Sequence, residues 1–328
     1  MQRCVPHGRV GGAAQLRIQY RSLCATLSEK FVPTSPHILT KADVHSLEEF
    51  IRNSRKLFIL TGAGLSTESG IPDYRSTGVG MYATSKQRPI QYSEFVKNTE
   101  ARRRYWARNY AGWPSFSSRQ PNLGHMFLSE LERRDMLHWL VTQNVDRLHR
   151  KAGSSRVSEL HGSTHDIICL QCKAMTYRSD LQIRMAEMNP QFHDRREDEN
   201  TVRPDGDVHF ETDAWKSFHI PDCQLCGGML KPNVVFFGDV VPRPLVTDIY
   251  EKLGECDAML VIGSSLEVYS SYRFALAAAE QSIPMCLLNI GSTRADHLAS
   301  MHIHARCGET MKQLSQVLFG DVYWLSNV

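Results

Sequence analysis

A short apolar run at residues 56–60 (KLFIL) leads straight into a glycine-rich stretch at 62–76, GAGLSTESGIPDYRS. A buried strand ending on glycines constrains the fold strongly, because glycine lets backbone N–H groups turn tightly and approach a pyrophosphate. Alone, the run reads equally well as a tight strand-to-helix turn. Its meaning comes from the motifs downstream: Gln143-Asn144-Val145-Asp146, the pair His161-Gly162, then two Cys-x-x-Cys pairs at Cys169/Cys172 and Cys223/Cys226. That order describes a nucleotide pocket, a base beside it and a metal-tied lobe inserted into one fold.

Four further apolar runs, WLVTQ (139–143), VVFF (234–237), AMLVIG (258–263) and MCLLNI (285–290), read as buried parallel strands. The stretches between the later ones are amphipathic and helix-length, residues 274–281 being alanine-rich. Upstream, Thr40 and Asp43 have capping-box spacing, and Val44, Leu47, Phe50 and Ile51 come after them at helical intervals, predicting a helix over 41–54. The predicted class is α/β, a Rossmann-like doubly wound parallel sheet with an inserted smaller zinc-binding lobe. Ligands of such sheets bind at the strands' carboxyl ends, which here carry Gly62-Ala63-Gly64, Gln143-Asn144, Gly263-Ser264-Ser265 and Asn289-Ile290-Gly291. A hydride-transferring dehydrogenase would place an acid about 20 residues beyond the glycines. No carboxylate lies between Asp73 and Glu94; the loop supplies Asp73 and Arg75 early instead.

Of the nine cysteines, Cys4, Cys24, Cys256, Cys286 and Cys307 lack partner spacing, which argues against an oxidised framework and for a reducing compartment. The four paired thiols match a closed, structural tetrahedral zinc site. A redox Cys-x-x-Cys would explain one pair but not two. His161, eight residues before Cys169 and after the short strand 157–160, is placed to face the crevice as a neutral general base; the alternative is a satisfied loop histidine. Residues 1–28 carry Arg3, Arg9, Arg17 and Arg21 and no acid, as a mitochondrial transit peptide does, and a linker with Pro33 and Pro36 covers 29–40. Without that segment the net charge of +3 becomes 3 − 4 = −1. Such a balance gives no electrostatic reason to expect nucleic acid, and no apolar stretch predicts a membrane span.

With GAGxS…GIPDYRS, QNVD, His161-Gly162, the four cysteines, VVFFGD, GSSLEV and NIG in this order, the chain after Leu39 resembles the sirtuin family. RPIQYSEF, RRYWARNYAGWPSF and the long insert before Cys223 resemble its class II mitochondrial branch. The resemblance implies a catalytic domain over 41–320, a zinc-binding insertion at about 165–230 and a C-terminal tail at 321–328. It implies NAD as cofactor and one structural Zn2+. The implied reaction is NAD-dependent deacylation of protein lysines: the acyl oxygen displaces nicotinamide, and His161 then deprotonates the ribose so that the acyl group leaves on ADP-ribose. Gln143, Asn144 and Asp146 match the residues that orient the nicotinamide ribose. Gly62, Ala63, Gly64, Ser66, Pro72, Asp73, Tyr74, Arg75, Tyr82, Val145, Gly263, Ser264, Ser265, Asn289, Ile290, Gly291 and Cys307 match cofactor-contacting positions. Val235, Phe236, Phe237, Gly238 and Val268 match substrate-facing ones. Implied partners are acylated lysines of metabolic enzymes in the mitochondrial matrix, met by a monomer. Alternatives are a mono-ADP-ribosyltransferase using the same pocket and a weakly catalytic NAD-sensing binder.

Tyr105 and Arg108 sit i and i+3 on a predicted helix, so they share a face. In class III sirtuins a similar Tyr-x-x-Arg pair binds an acyl carboxylate, which implies glutaryl or hydroxymethylglutaryl lysine as substrate here, with lipoyl lysine a further candidate; Arg108 as a solvated charge is the other reading. Arg147 departs from the family pattern, as does Ser270, where many relatives carry proline, and both are expected to alter peptide-facing contacts. The insert 173–222 includes a polar stretch, 189–213, too hydrophilic for a core of its own; it is expected either to fold towards the acyl-lysine entrance or to stay a surface loop.

Overall fold

The computed structural model describes residues 30–35, 37–86, 88–192, 203–208, 213–320 and 322. The expected transit peptide and, apart from residue 322, the expected tail lie outside them.

The larger lobe is a six-stranded parallel sheet of β1 (Leu57–Thr61), β2 (Trp139–Thr142), β3 (Val157–Glu159), β7 (Ala258–Ile262), β8 (Met285–Leu288) and β9 (Met301–Ile303). They lie in the order β3-β2-β1-β7-β8-β9. Every residue of β1, β7 and β8 is buried, as a sheet covered on both faces requires. Successive side chains point to opposite faces. Leu57 and Ile59 therefore join one core with α1 (Lys41–Asn53), α3 (Leu123–Arg133) and α7 (Cys307–Phe319), through Leu47, Phe127 and Met311. Phe58 and Leu60 join the other with α5 (Arg243–Gly254) and α6 (Tyr269–Glu280), through Ile249 and Phe274. The predicted first helix is present and starts as read: Thr40 Oγ1 accepts from the Asp43 N–H at 3.1 Å, and Asp43 Oδ2 from the Thr40 N–H at 2.9 Å.

The strand order reverses direction between β1 and β7, which opens a crevice above their carboxyl ends. The smaller lobe is a three-stranded antiparallel sheet, β5-β4-β6, of β4 (Gly162–Cys169), β5 (Met175–Tyr177) and β6 (Leu230–Val234). This corrects one expectation, since VVFF is not a strand of the parallel sheet. Only Val234 is in a strand, and it pairs antiparallel with Gly162. The same register puts Cys169 opposite Leu230 and so brings the two cysteine pairs to one end of the lobe. Helix α2 (Thr99–Ser118) joins the lobes by burying Tyr105 and Trp106 against Phe95, Phe236 and Phe218. It also receives α4 (Arg178–Met188) of the insert, whose fully buried Arg178 donates to Asn109 Oδ1 at 2.9 Å and lies 4.7 Å from the Trp113 ring centre.

Candidate active site

The crevice is a cavity of ≈ 1170 Å³ reached by the ends of β1, β2, β7 and β8. Glycine is required where the β1 and β7 loops touch. The Gly64 N–H donates to the Gly263 carbonyl at 2.9 Å, and a Cβ on Gly263, at φ +61°, would stand 2.5 Å from the Leu65 nitrogen. A Cβ on Gly62 would meet Ser264 Cβ at 2.7 Å. Gly62 thus does not line the cavity but lets the two loops close beneath it.

The QNVD run ties β2 to these loops. Gln143 Nε2 donates to Ser264 Oγ at 2.7 Å; Asn144 Nδ2 donates to the Gly62 carbonyl at 3.1 Å and to Ser66 Oγ at 3.0 Å. Ser66 Oγ donates onward to Asp146 Oδ2 at 2.7 Å, and the Leu148 N–H to Asp146 Oδ1 at 2.9 Å. Burial raises the Asp146 pKa, partly offset by those two donors. Both its carboxylate oxygens are engaged in fixing the floor.

His161 sits in the turn between β3 and β4, half-buried. Its Nδ1 is 2.9 Å from the Gln143 carbonyl oxygen and its Nε2 2.8 Å from Ser270 Oγ. A carbonyl can only accept, so Nδ1 carries the proton and the lone pair is on Nε2. Burial pushes the imidazole down to about 4, with the Gln143 contact opposing and the Arg273 charge adding to the shift. The ring is a neutral base whose unprotonated Nε2 meets the Ser270 hydroxyl at the cavity wall.

Cys169, Cys172, Cys223 and Cys226 converge, their Sγ atoms all within 4.8 Å of one another. Zinc–thiolate bonds of about 2.3 Å in a tetrahedron require sulfurs about 3.8 Å apart. The Cys169–Cys226 and Cys172–Cys223 separations are 3.5 and 3.8 Å. The donor set fits zinc.

Of the remaining sequence-derived residues, Ala63, Gly64, Tyr74, Arg75, Val145, Ser265, Asn289, Ile290, Gly291 and Cys307 line the cavity, as do Val235, Phe236, Phe237, Gly238, Val268 and Tyr105. Asp73 lines it too, but its Oδ1 accepts the Arg75 and Ser76 N–H groups at 3.0 and 2.8 Å and so shapes the loop. Pro72, Tyr82 and Arg108 are outside it: Pro72 is buried, and the Tyr82 ring packs 5.9 Å from that of Tyr74. Arg108 donates through Nε and Nη2 to both oxygens of Asp207, at 2.9 and 2.6 Å. Burial and nearby Glu68 push the Cys307 thiol far up, so it is an inert wall.

Residues that sequence reasoning had not assigned to the cavity also line it. Pro204 and Asp205 arrive from the polar insert, and Val32 to Ser35 from the linker. Asp205 is pushed up to about 6 by burial and by Asp207. Ser270, expected to face the peptide, instead touches His161. Arg147 is held by Asp166 of β4 and Glu159 of β3, one from each lobe. Only the excess length of the insert hinted at the first of these.

The family model described as the Sir2 family matches residues 62–270. The chain is 52% identical over 281 residues to the Bos taurus NAD-dependent protein lipoamidase sirtuin-4, mitochondrial, covering 86% of this chain and 88% of that one. It is 47% identical over 300 residues to the Drosophila melanogaster NAD-dependent protein deacylase Sirt4, covering 91% and 95%. Among solved structures, a Sir2 complex with p53 peptide and NAD+ superposes with a TM-score of 0.65 at 26% identity, covering 83% of this chain and 97% of that one.

Proposed function

The chain belongs to the Sir2 family and is an NAD-dependent protein acyl-lysine deacylase, and on that premise we propose that His161 is its general base. The single observation that carries this is the pairing of His161 Nδ1 with the Gln143 carbonyl, which leaves Nε2 unprotonated at the cavity wall. NAD, when bound, supplies the ribose carbon that exchanges nicotinamide for the acyl oxygen and the hydroxyls that take over the acyl group.

The chain's own residues do the rest. Gln143, Asn144 and Asp146 are locked to Ser264, Gly62 and Ser66, so their free edges and the backbone between them have fixed positions before ligand arrives. Such preorganisation matters where a cationic leaving group needs orientation more than acid catalysis. Ser265, Asn289 and Arg75 offer hydroxyl, amide and guanidinium donors suited to ribose and phosphate oxygens. Cys169, Cys172, Cys223 and Cys226 would hold one zinc that fixes the smaller lobe and takes no part in the chemistry.

The acyl end of the cavity is aromatic, with Tyr105 and Phe236 ring centres 5.3 Å apart and Phe237 beside Tyr74. Arg108 lies outside the cavity, so it would read a carboxylate-bearing acyl group only on release from Asp207. The basic, acid-free residues 1–28, together with relatives named as mitochondrial, support a mitochondrial location, where acylated metabolic enzymes of the matrix would be the substrates.

Incubating purified protein with NAD and a panel of acetyl, glutaryl, hydroxymethylglutaryl and lipoyl peptides, followed by mass spectrometry, tests the reading. Free lysine peptide and O-acyl-ADP-ribose in equal amounts are expected. ADP-ribose attached to protein with the acyl group retained would favour the transferase instead.

A further inference from the structure

Ser270 lies in the first turn of α6, and its hydroxyl lines the cavity 2.8 Å from Nε2 of His161. Because Nδ1 holds the ring's only proton against the Gln143 carbonyl, Nε2 must accept and the Ser270 O–H must donate. The lone pair of the base is thus already engaged by a second hydroxyl that itself faces the cavity. Ser270 is held in turn, its carbonyl accepting from Arg273 Nε at 3.1 Å.

Resting on the reading of His161 as base, we propose that Ser270 is a proton relay between His161 and the sugar hydroxyl that attacks the acyl carbon. As that hydroxyl gives its proton to Ser270 Oγ, Ser270 gives its own to Nε2. The sugar oxygen keeps the electron pair of its broken O–H bond and uses it to bond to the acyl carbon, whose π pair moves onto the lysine nitrogen. The imidazole becomes imidazolium, its charge supported through Nδ1–H by the Gln143 carbonyl. When the lysine amine departs with the C–N electron pair, the same hydroxyl passes the imidazolium proton to that nitrogen, and a water takes the vacated bond at the acyl carbon and loses a proton to solvent, so Ser270 and His161 end as they began. A hydroxyl relay is a device of this chain and not a demand of the reaction, since the proline that the family pattern has here carries none.

The test has two arms. In the unliganded protein, with 15N-labelled histidine, Ser270→Ala should move the His161 Nε2 resonance to that of an imine nitrogen without a donor and leave Nδ1 in place. With NAD and acyl peptide, Ser270→Ala should keep nicotinamide exchange, which precedes the base step, near wild type. It should lower acyl transfer at least tenfold, a part of the ~10²–10⁴ that general-base catalysis contributes, and Ser270→Thr should restore most of it. Acyl transfer as fast as wild type, both reactions falling together, or an unmoved Nε2 signal would each overturn the relay. His161→Tyr separates this from the underlying reading: lost transfer there with an intact Ser270→Ala enzyme sinks the relay alone, whereas transfer surviving in His161→Tyr sinks both.

Discussion

Arg108 and Asp207 form a bidentate pair, 2.9 and 2.6 Å long, that joins helix α2 to the described turn 203–208 of the polar insert. Arg203 Nη1 donates to the same carboxylate at 3.2 Å, and the Arg203 N–H to the Asp207 carbonyl at 2.8 Å, so the turn is closed on itself and on the helix together. Val208 seats the far end against Ile71, Phe116 and Leu148. The turn carries Pro204 and Asp205 into the cavity wall, which supports the reading of the insert as a regulator of acyl access.

Freeing Arg108 from this pair should change which acyl group is taken. In Asp207→Asn the fork loses its anionic partner, and the ratio of kcat/KM for glutaryl over acetyl peptide should rise several-fold. Arg108→Met should abolish that gain in the double variant. Equal ratios in wild type and Asp207→Asn would show that Arg108 does not read the carboxylate. Because truncating one member of a buried pair leaves the other uncompensated, at a cost of about 3–5 kcal/mol, thermal melts must accompany the kinetics; asparagine, which still accepts, keeps that loss small.

Removing zinc should unfold the smaller lobe. The sulfurs of Cys169, Cys172, Cys223 and Cys226 converge at one end of the β5-β4-β6 sheet, and a metal bound there would be a part of folding. Metal analysis should give one zinc per chain, and Cys223→Ser should release it with loss of protease resistance around residues 165–230. A Cys223→Ser protein with full metal content and an unchanged melt would rule this out.

Acid should destabilise the larger lobe through buried neutral histidines. His149 lies under β1, with Nε2 2.9 Å from Thr61 Oγ1 and its ring 4.8 Å from that of His125. Burial pushes His149 down to about 3 and His125 well down too, the latter by burial and then by His149. A folded pKa below the unfolded value of about 6.5 means that the unfolded chain binds more protons between those values. The stabilisation is complete above about pH 6.5 and is lost as pH falls towards 3, at up to about 1.4 kcal/mol per pH unit for each group. Urea midpoints measured from pH 7 to 4.5 should drop in wild type and drop less in His149→Gln. Parallel slopes would assign the acid sensitivity elsewhere.

Much of this was legible in sequence because the β–glycine–helix punctuation and the cysteine spacing each obey local rules. Strand burial on both faces gave continuous apolar runs, and Thr40-Asp43 gave the helix start. VVFF was misread for a physical reason. Four apolar residues look alike whether they are buried in a parallel sheet or run from an antiparallel strand along a cavity wall, and only the Gly162–Val234 pairing tells them apart. The Arg108–Asp207 and His161–Ser270 contacts span 99 and 109 residues, beyond any periodicity. A polar segment such as 203–208 betrays nothing of its docking, because the partner that neutralises it lies on another element.

Gly112 offers the sharpest test of the docked turn. It is in the middle of α2, where alanine would ordinarily be favoured by roughly 1 kcal/mol. A Cβ there would stand 2.4 Å from the Gly206 carbonyl oxygen and 2.8 Å from Val208 Cγ1, closer than any real contact allows. Gly206 cannot move aside within the turn, since its φ of +78° and its N–H bond to the Arg203 carbonyl at 3.0 Å define the turn's shape. Gly112→Ala should therefore displace the whole 203–208 segment while leaving the helix sound. The melting temperature should stay within a few degrees of wild type, and proteolytic cleavage within the insert should speed up. Activity on long acyl peptides such as lipoyl should shift relative to acetyl as Pro204 and Asp205 leave the cavity wall. Unchanged acyl selectivity together with faster insert cleavage would show that the turn docks without governing access.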